Sequence, residues 1–125
     1  MLYPIRFYLY NVAFFRKHPF KQSMKYQFIL QWSASVINDY DSLIAIENFL
    51  IENLTEGNEV DGHDAGSDEM NIFIQTGDPD RTFLEVKTIL NRNNSWGNVR
   101  IAYRKLTDNK YTILWPRELK HFNVV

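Results

Sequence analysis

The chain has 125 residues, of which 45% are hydrophobic, 15% aromatic and 23% charged. This length suits one domain, and the apolar and aromatic content excludes an intrinsically disordered chain. The absence of cysteine excludes a disulfide framework and a thiolate zinc site, and the net charge of -1 supplies no general attraction to nucleic acid or to an anionic membrane.

The charged residues are distributed unevenly along the chain. Residues 1–25 contain five basic residues and no acidic one, and residues 26–80 contain twelve acidic residues and no Lys or Arg. Residues 81–125 contain nine basic residues against three acidic ones. The sequence therefore predicts an acidic surface in the middle of the chain and a basic surface in its last third.

The first 23 residues differ from the rest. They contain seven aromatic residues and an apolar run over residues 7–15, which is far shorter than the roughly 20 residues that span a bilayer. Arg16, Lys17, His18 and Pro19 follow this run, where a signal peptide needs a cleavage site of small residues. The alternatives are a membrane-surface anchor, a packed element and translation from an over-extended start. We favour the last and expect residues 24–125 to form the single domain.

Five strands and two helices are predicted from residue 24 onward. They are a strand over 25–32, a helix over about 40–54, a hairpin of two strands over 59–76, a helix from 79 to about 90, and strands over 99–104 and 111–115. The hairpin connection is expected to include Gly62, Gly66, Ser67 and Asp68.

The two helices are predicted from apolar spacing and from a capping signal. The first helix is expected to leave Glu47 and Glu52 off its buried stripe, which consists of Leu43, Ile46, Leu50 and Leu54. Asp39 and Asp41 fit the start of this helix. The second helix begins with an N-cap aspartate followed by proline, Asp78 and Pro79, and is expected to bury Phe83, Val86 and Leu90.

This order of elements predicts an α+β fold. It is the ferredoxin-like β-α-β-β-α-β pattern with an additional C-terminal strand, in which two helices cover one face of an antiparallel sheet. Right-handed crossovers place the first and third strands in the middle. The acidic second strand is then expected at one edge and the basic final hairpin at the other.

One stretch concentrates side chains that can do chemistry. Carboxylates and an imidazole suit a divalent cation that activates water, with Asp61, His63, Asp64 and Glu69 as the ligands. The spacing does not fit a calcium-binding loop, and no second histidine stands nearby. We therefore favour a solvated hairpin tip, in which these side chains bond local backbone groups, and expect no metal and no cofactor.

Three other features of the sequence have both a functional and a structural interpretation. A triad of Ser67, His63 and Asp64 is disfavoured, because adjacent hairpin residues do not give the geometry of a nucleophile, base and orienting group. Nucleic-acid binding is disfavoured because the third strand has only one aromatic residue and is preceded by acidic residues. Trp96 lies in a polar loop, where it either anchors a partner or packs over a helix end; we favour packing.

The hairpin sequence EVDGHDAGSDEMNIFI, at residues 59–74, resembles that of a group of small bacterial proteins that share a GHDxGSxEMNIFI-like hairpin. The resemblance extends over about residues 24–125. It implies a bacterial, cytoplasmic, single-domain protein. Because no activity is established for that group, it assigns no functional residue.

The leading hypothesis is a non-enzymatic interaction protein that presents an acidic hairpin edge to a basic protein partner. An immunity protein that neutralises a toxin is one form, by analogy, and a homodimer is another. The expected partner-binding residues are Asp61, His63, Asp64, Asp68, Glu69 and Trp96. The alternatives are a metal-dependent hydrolase centred on His63 and a small-ligand module on the open sheet face, lined by Asn71, Phe73 and Gln75.

Overall fold

A computed structural model describes residues 24–34, 40–66 and 68–124. The predictions for residues 1–23, for Asp39 and for Ser67 lie outside the described residues. The elements follow the predicted order: β1 (Tyr26–Ser33), α1 (Tyr40–Asn53), β2 (Asn58–Ala65), β3 (Glu69–Thr76), α2 (Pro79–Arg92), β4 (Arg100–Lys105) and β5 (Thr112–Trp115).

The strands form one antiparallel sheet in the order β2-β3-β1-β4-β5. The α+β class and the interior positions of the first and third strands are confirmed. The sheet has one strand more than the four of a ferredoxin-like unit. The acidic strand β2 and the basic hairpin of β4 and β5 lie towards opposite edges, as expected. The sheet therefore separates the two charged regions of the chain.

Both helices pack on one face of the sheet, as predicted. Alternate residues of β1 face them, because successive side chains of a strand point to opposite faces. Each fully buried large apolar side chain stabilises the fold by about 1.5–3 kcal/mol. The buried core on this face includes Phe28, Leu30, Trp32, Leu43, Ile46, Leu50, Met70, Ile72, Ile74, Val86, Ile89, Leu90, Val99 and Ile101. Phe83, expected to be buried, is half-buried at the margin of this core.

The start of α2 shows the predicted cap. The side chain of Asp78 accepts a hydrogen bond from the backbone N–H of Arg81, with an N···O distance of 3.1 Å. Pro79 opens the helix at a position where no intrahelical N–H is needed. The Thr82 hydroxyl contacts Thr76 and Asn58, at 2.8 and 2.6 Å. The helix start is thereby tied to the ends of β2 and β3.

The C-terminal segment, residues 119–124, covers part of the other face of the sheet. Phe122 is 8% exposed and lies against Ile29 and Ala102, which are fully buried. Leu119 and Val124 also pack against this second cluster. From the sequence, this face of the sheet is expected to be open. That expectation is wrong where the segment crosses it, because these apolar residues are buried there instead of reaching solvent.

Strand β2 is longer than predicted and contains a bulge. It continues through Gly62 to Ala65, so Gly62 belongs to the strand and not to the hairpin connection. Val60 pairs with Ile74 and Gly62 with Phe73, which leaves Asp61 as an extra residue. Gly62 has a φ of +144°, a conformation that residues with a Cβ rarely adopt.

We predict that Gly62→Ala destabilises the fold by about 1–3 kcal/mol, because alanine is strained at this φ. The strain is conformational, since a Cβ added there meets nothing within 4 Å. Urea unfolding measures the change. The matched control is Gly97→Ala, where a Cβ also meets nothing within 4 Å and φ lies outside the left-handed region. Equal effects of the two substitutions would contradict a strained bulge.

Candidate functional site

The bulge turns His63 towards the helices. Strict alternation from Val60, which pairs with the core residue Ile74, places His63 on the opposite face. The extra residue shifts the register, so His63 pairs with Ile72 and shares its helix-covered face. Asp64 pairs with Asn71 on the other face. Two residues adjacent in sequence therefore belong to different sites.

His63 joins two side chains of α1. Its Nδ1 lies 2.9 Å from Oε1 and 3.1 Å from Oε2 of Glu47, and its Nε2 lies 2.8 Å from the Tyr40 hydroxyl. Tyr40 and Glu47 are seven residues apart, so two helical turns bring them to one face of α1. A carboxylate only accepts, so Nδ1 donates to Glu47, and in the neutral ring Nε2 accepts from Tyr40. We call these three residues the relay.

Exposure increases along the relay. Glu47 is 7% exposed, the side chain of His63 is 23% exposed, and Tyr40 is 52% exposed. Among the acidic residues in the described ranges, Glu47 alone is buried. The Tyr40 and His63 rings meet edge to face, with centroids 5.4 Å apart. The relay thus joins a buried carboxylate to a hydroxyl at the surface through one oriented imidazole.

His63 is one of the predicted site residues, whereas its partners Tyr40 and Glu47 are not. The expectation that Glu47 lies off the buried stripe of α1 is wrong. Its carboxylate is enclosed because His63 satisfies it. In the sequence, the relay is indicated only by the spacing that places Tyr40 and Glu47 on one helix face. That spacing alone does not identify the strand residue that lies opposite them. The bulge that supplies it has no clear mark in the sequence besides Gly62.

A ladder of polar side chains crosses four strands on the other face. Arg100 Nε donates to Gln31 Oε1 at 2.8 Å, and Gln31 Nε2 donates to Asn71 Oδ1 at 3.0 Å. Asn71 Nδ2 then donates to Asp64 Oδ1 at 2.9 Å. These residues are directly opposite one another in the registers of β4, β1, β3 and β2. We call them the amide ladder.

The two central amides of the ladder have further partners. Gln31 Nε2 also donates to the backbone carbonyl of Asn123 at 2.8 Å, and Asn71 Nδ2 also donates to Glu69 Oε2 at 3.3 Å. Gln31 is 2% exposed and Asn71 is fully buried. Each amide therefore has partners for its oxygen and for two donated bonds, as burial requires. Asp64 and Glu69 are held by Asn71, and the C-terminal segment closes the ladder.

The burial of Asn71 bears on the small-ligand alternative. That alternative uses Asn71, Phe73 and Gln75 as lining residues on an open face. Asn71 is fully buried and bonded within the ladder, while Phe73 and Gln75 are half-buried. The expectation that Asn71 is available to a ligand is therefore wrong in this structure, because its amide is already satisfied within the protein.

The other predicted site residues lie at separate places. Asp61 and Asp68 are exposed on either side of the ladder end. Within the described ranges no Lys or Arg side chain forms an ion pair with Asp61, Asp64 or Asp68. Arg100 reaches Asp64 only through the two amides. Trp96 is half-buried, with its ring 6.0 Å from that of Phe83 and 5.3 Å from that of Trp115, which agrees with packing over the core.

The four proposed metal ligands do not form one site, although Asp64 and Glu69 both accept a hydrogen bond from Asn71. His63 and Asp64 face opposite sides of the sheet, and both ring nitrogens of His63 have hydrogen-bond partners. In the part of the chain that the structure describes, no group of three or more His, Asp or Glu side chains is arranged to hold a metal ion. These residues are close in sequence, but they do not form a coordination sphere.

Comparisons with protein-family models, with curated proteins and with solved structures each give no match. No helix of the described residues is both long enough and apolar enough to cross a bilayer. The chemistry of the relay, the ladder and the charged edges is therefore the basis for a functional proposal.

We predict that Asn71→Ala destabilises the fold by about 1–3 kcal/mol, because one N–H of the buried Gln31 amide then loses its acceptor. The control is Gln75→Ala, which removes a half-buried amide from the same strand and face. Urea unfolding of both variants provides the comparison. If Gln75→Ala costs as much as Asn71→Ala, the ladder has no special role in stability.

Proposed function

We propose that the protein is a non-enzymatic interaction protein that presents an acidic edge to a basic protein partner. The acidic edge consists of the exposed carboxylates of Glu59, Asp61, Asp64 and Asp68 along β2 and its turn. The observation that carries the proposal is the place of β2 at one edge of the sheet, with the basic strands β4 and β5 towards the other.

The edge position supports docking by a strand or a loop. In the described sheet β2 pairs with β3 on one side only. Its outer side carries backbone groups that suit pairing with another chain. Carboxylates along such an edge discourage pairing with neutral or acidic strands and favour basic ones, by complementary charge. The acidic edge thus supplies selectivity, and backbone pairing supplies affinity.

The amide ladder prepares one of these carboxylates for binding. Asp64 is exposed, yet Asn71 Nδ2 holds its Oδ1 at 2.9 Å. A side chain that is already oriented loses less conformational entropy when a partner binds. Asp64 therefore has one oxygen bonded within the protein, and its exposed carboxylate is already held in place before a partner's cation arrives.

Two kinds of basic partner fit this acidic edge. One is a basic toxin, which would make the protein immunity-like by analogy. The other is a second copy, whose basic edge would meet this acidic edge in a head-to-tail contact. The metal-hydrolase and small-ligand alternatives are not proposed, because both nitrogens of His63 are engaged and Asn71 is buried.

We also infer a ferredoxin-like relationship for the fold. Without β5, the strand order is β2-β3-β1-β4, with two crossover helices on one face. Strand β5 extends this unit beside β4. The bacterial and cytoplasmic setting that the hairpin resemblance implies belongs to the same proposal.

The binding prediction uses a strand-forming peptide of alternating lysine and valine. We expect it to bind the protein at low salt, and expect Asp61→Asn with Asp68→Asn to weaken that binding by about tenfold or more. Screening at about 0.3 M salt should weaken it as well. Fluorescence anisotropy of the labelled peptide measures the dissociation constant.

Two controls separate the acidic edge from net charge. Asp108→Asn with Glu118→Gln changes the net charge by the same amount at exposed positions away from β2, and should weaken binding by less than about threefold. A glutamate–valine peptide should not bind. Equal losses in the two double variants, or equal binding of the two peptides, would contradict the proposal.

A further inference from the structure

Docking through the acidic edge does not involve the three side chains of the relay. An exposed hydroxyl, an imidazole and a buried carboxylate follow one another at 2.8 and 2.9 Å. This is the arrangement in which a base activates a nucleophile and a third group orients the base. We propose that Tyr40 is a nucleophile that accepts an acyl group from a neutral ester, with His63 as general base and Glu47 as the positioning residue.

The proton and electron movements balance within the relay. Tyr40 Oη attacks the ester carbonyl carbon while its proton moves to His63 Nε2. The bond from that carbon to the leaving oxygen breaks, and the leaving oxygen takes the proton from Nε2. This gives O-acyl-Tyr40 and a free alcohol. Tyr40 is acylated once in this step, so the reaction modifies the protein and does not turn over.

Glu47 supports this step through His63. Its carboxylate accepts from Nδ1, which fixes the tautomer and leaves the Nε2 lone pair towards Tyr40. As Nε2 takes the proton, the ring becomes cationic, and the buried carboxylate beside it stabilises that charge. A neutral amide in place of Glu47 can keep a hydrogen bond to the ring but cannot supply the charge.

The charge around the relay indicates which acyl donors fit. The two elements that carry the relay, α1 and β2, contain no Lys or Arg, and the Glu47 carboxylate is in contact with His63. This local field disfavours phosphate esters and other anions and admits neutral or cationic esters. Tyr40 is 52% exposed, so an ester can reach its hydroxyl from solvent. These features select acyl transfer over phosphoryl transfer.

The test uses p-nitrophenyl acetate and the intact chain. Peptide mass mapping follows acetylation of Tyr40 with time, and released p-nitrophenol is followed by absorbance. We expect Tyr40 to be acetylated about 10²-fold or more faster in the unaltered protein than in His63→Gln, the range that general-base catalysis supplies. Tyr40→Phe should remove the label at this position while keeping the ring.

Two further variants distinguish positioning from structural support. Glu47→Gln should slow Tyr40 acetylation by about tenfold or more, with Glu47→Asp recovering part of the rate, since Asp restores the charge. Added imidazole should restore acetylation of Tyr40 in His63→Gly. Circular dichroism and thermal unfolding establish that each variant is folded, and the comparison rests on those that are.

Several results would overturn the proposal. They are acetylation of Tyr40 at the same rate in His63→Gln, full activity in Glu47→Gln, or acetyl found on His63 but not on Tyr40. Such a result would make the relay a structural clamp between α1 and β2. It would leave docking through the acidic edge unaffected, because Asp61 and Asp68 are not part of the relay.

Discussion

One extra residue in an edge strand determines how the chemistry of this protein is divided. Side chains alternate between the two faces of a sheet, so a shift of one position moves every following residue to the other face. The bulge at Asp61 and Gly62 makes this shift. It directs His63 to the helices and Asp64 to the opposite face. Both the relay and the end of the amide ladder depend on it.

The two faces then use polar groups differently. On the helix side, a buried carboxylate is tolerated because an imidazole bonds it and leads to the surface hydroxyl of Tyr40. On the other side, two buried amides connect Arg100 to Asp64 without direct contact between the charges. The ladder joins the basic and acidic parts of the sheet, yet it leaves the acidic edge exposed. The proposed docking surface and the proposed nucleophile therefore use separate side chains.

Much of the fold could be predicted from the sequence because its signals are local. Alternation identifies β1, helical spacing identifies α1, and Asp78 with Pro79 identifies the start of α2. The relay could not be predicted, because it needs a helix face and a strand face to meet across a bulge.

The amide ladder and the C-terminal segment could not be predicted from the sequence for a related reason. Polar residues such as Gln31 and Asn71 in an alternating pattern indicate solvent, and only cross-strand partners and a covering segment allow their burial.

The bulge places His63 between Glu47 and Tyr40. Long-range ¹⁵N–¹H correlation of the His63 ring at neutral pH tests it directly. In the neutral ring we expect a proton on Nδ1 and an accepting Nε2, the reverse of the tautomer that free histidine prefers in water. A proton on Nε2, or rapid averaging of both forms, would contradict it.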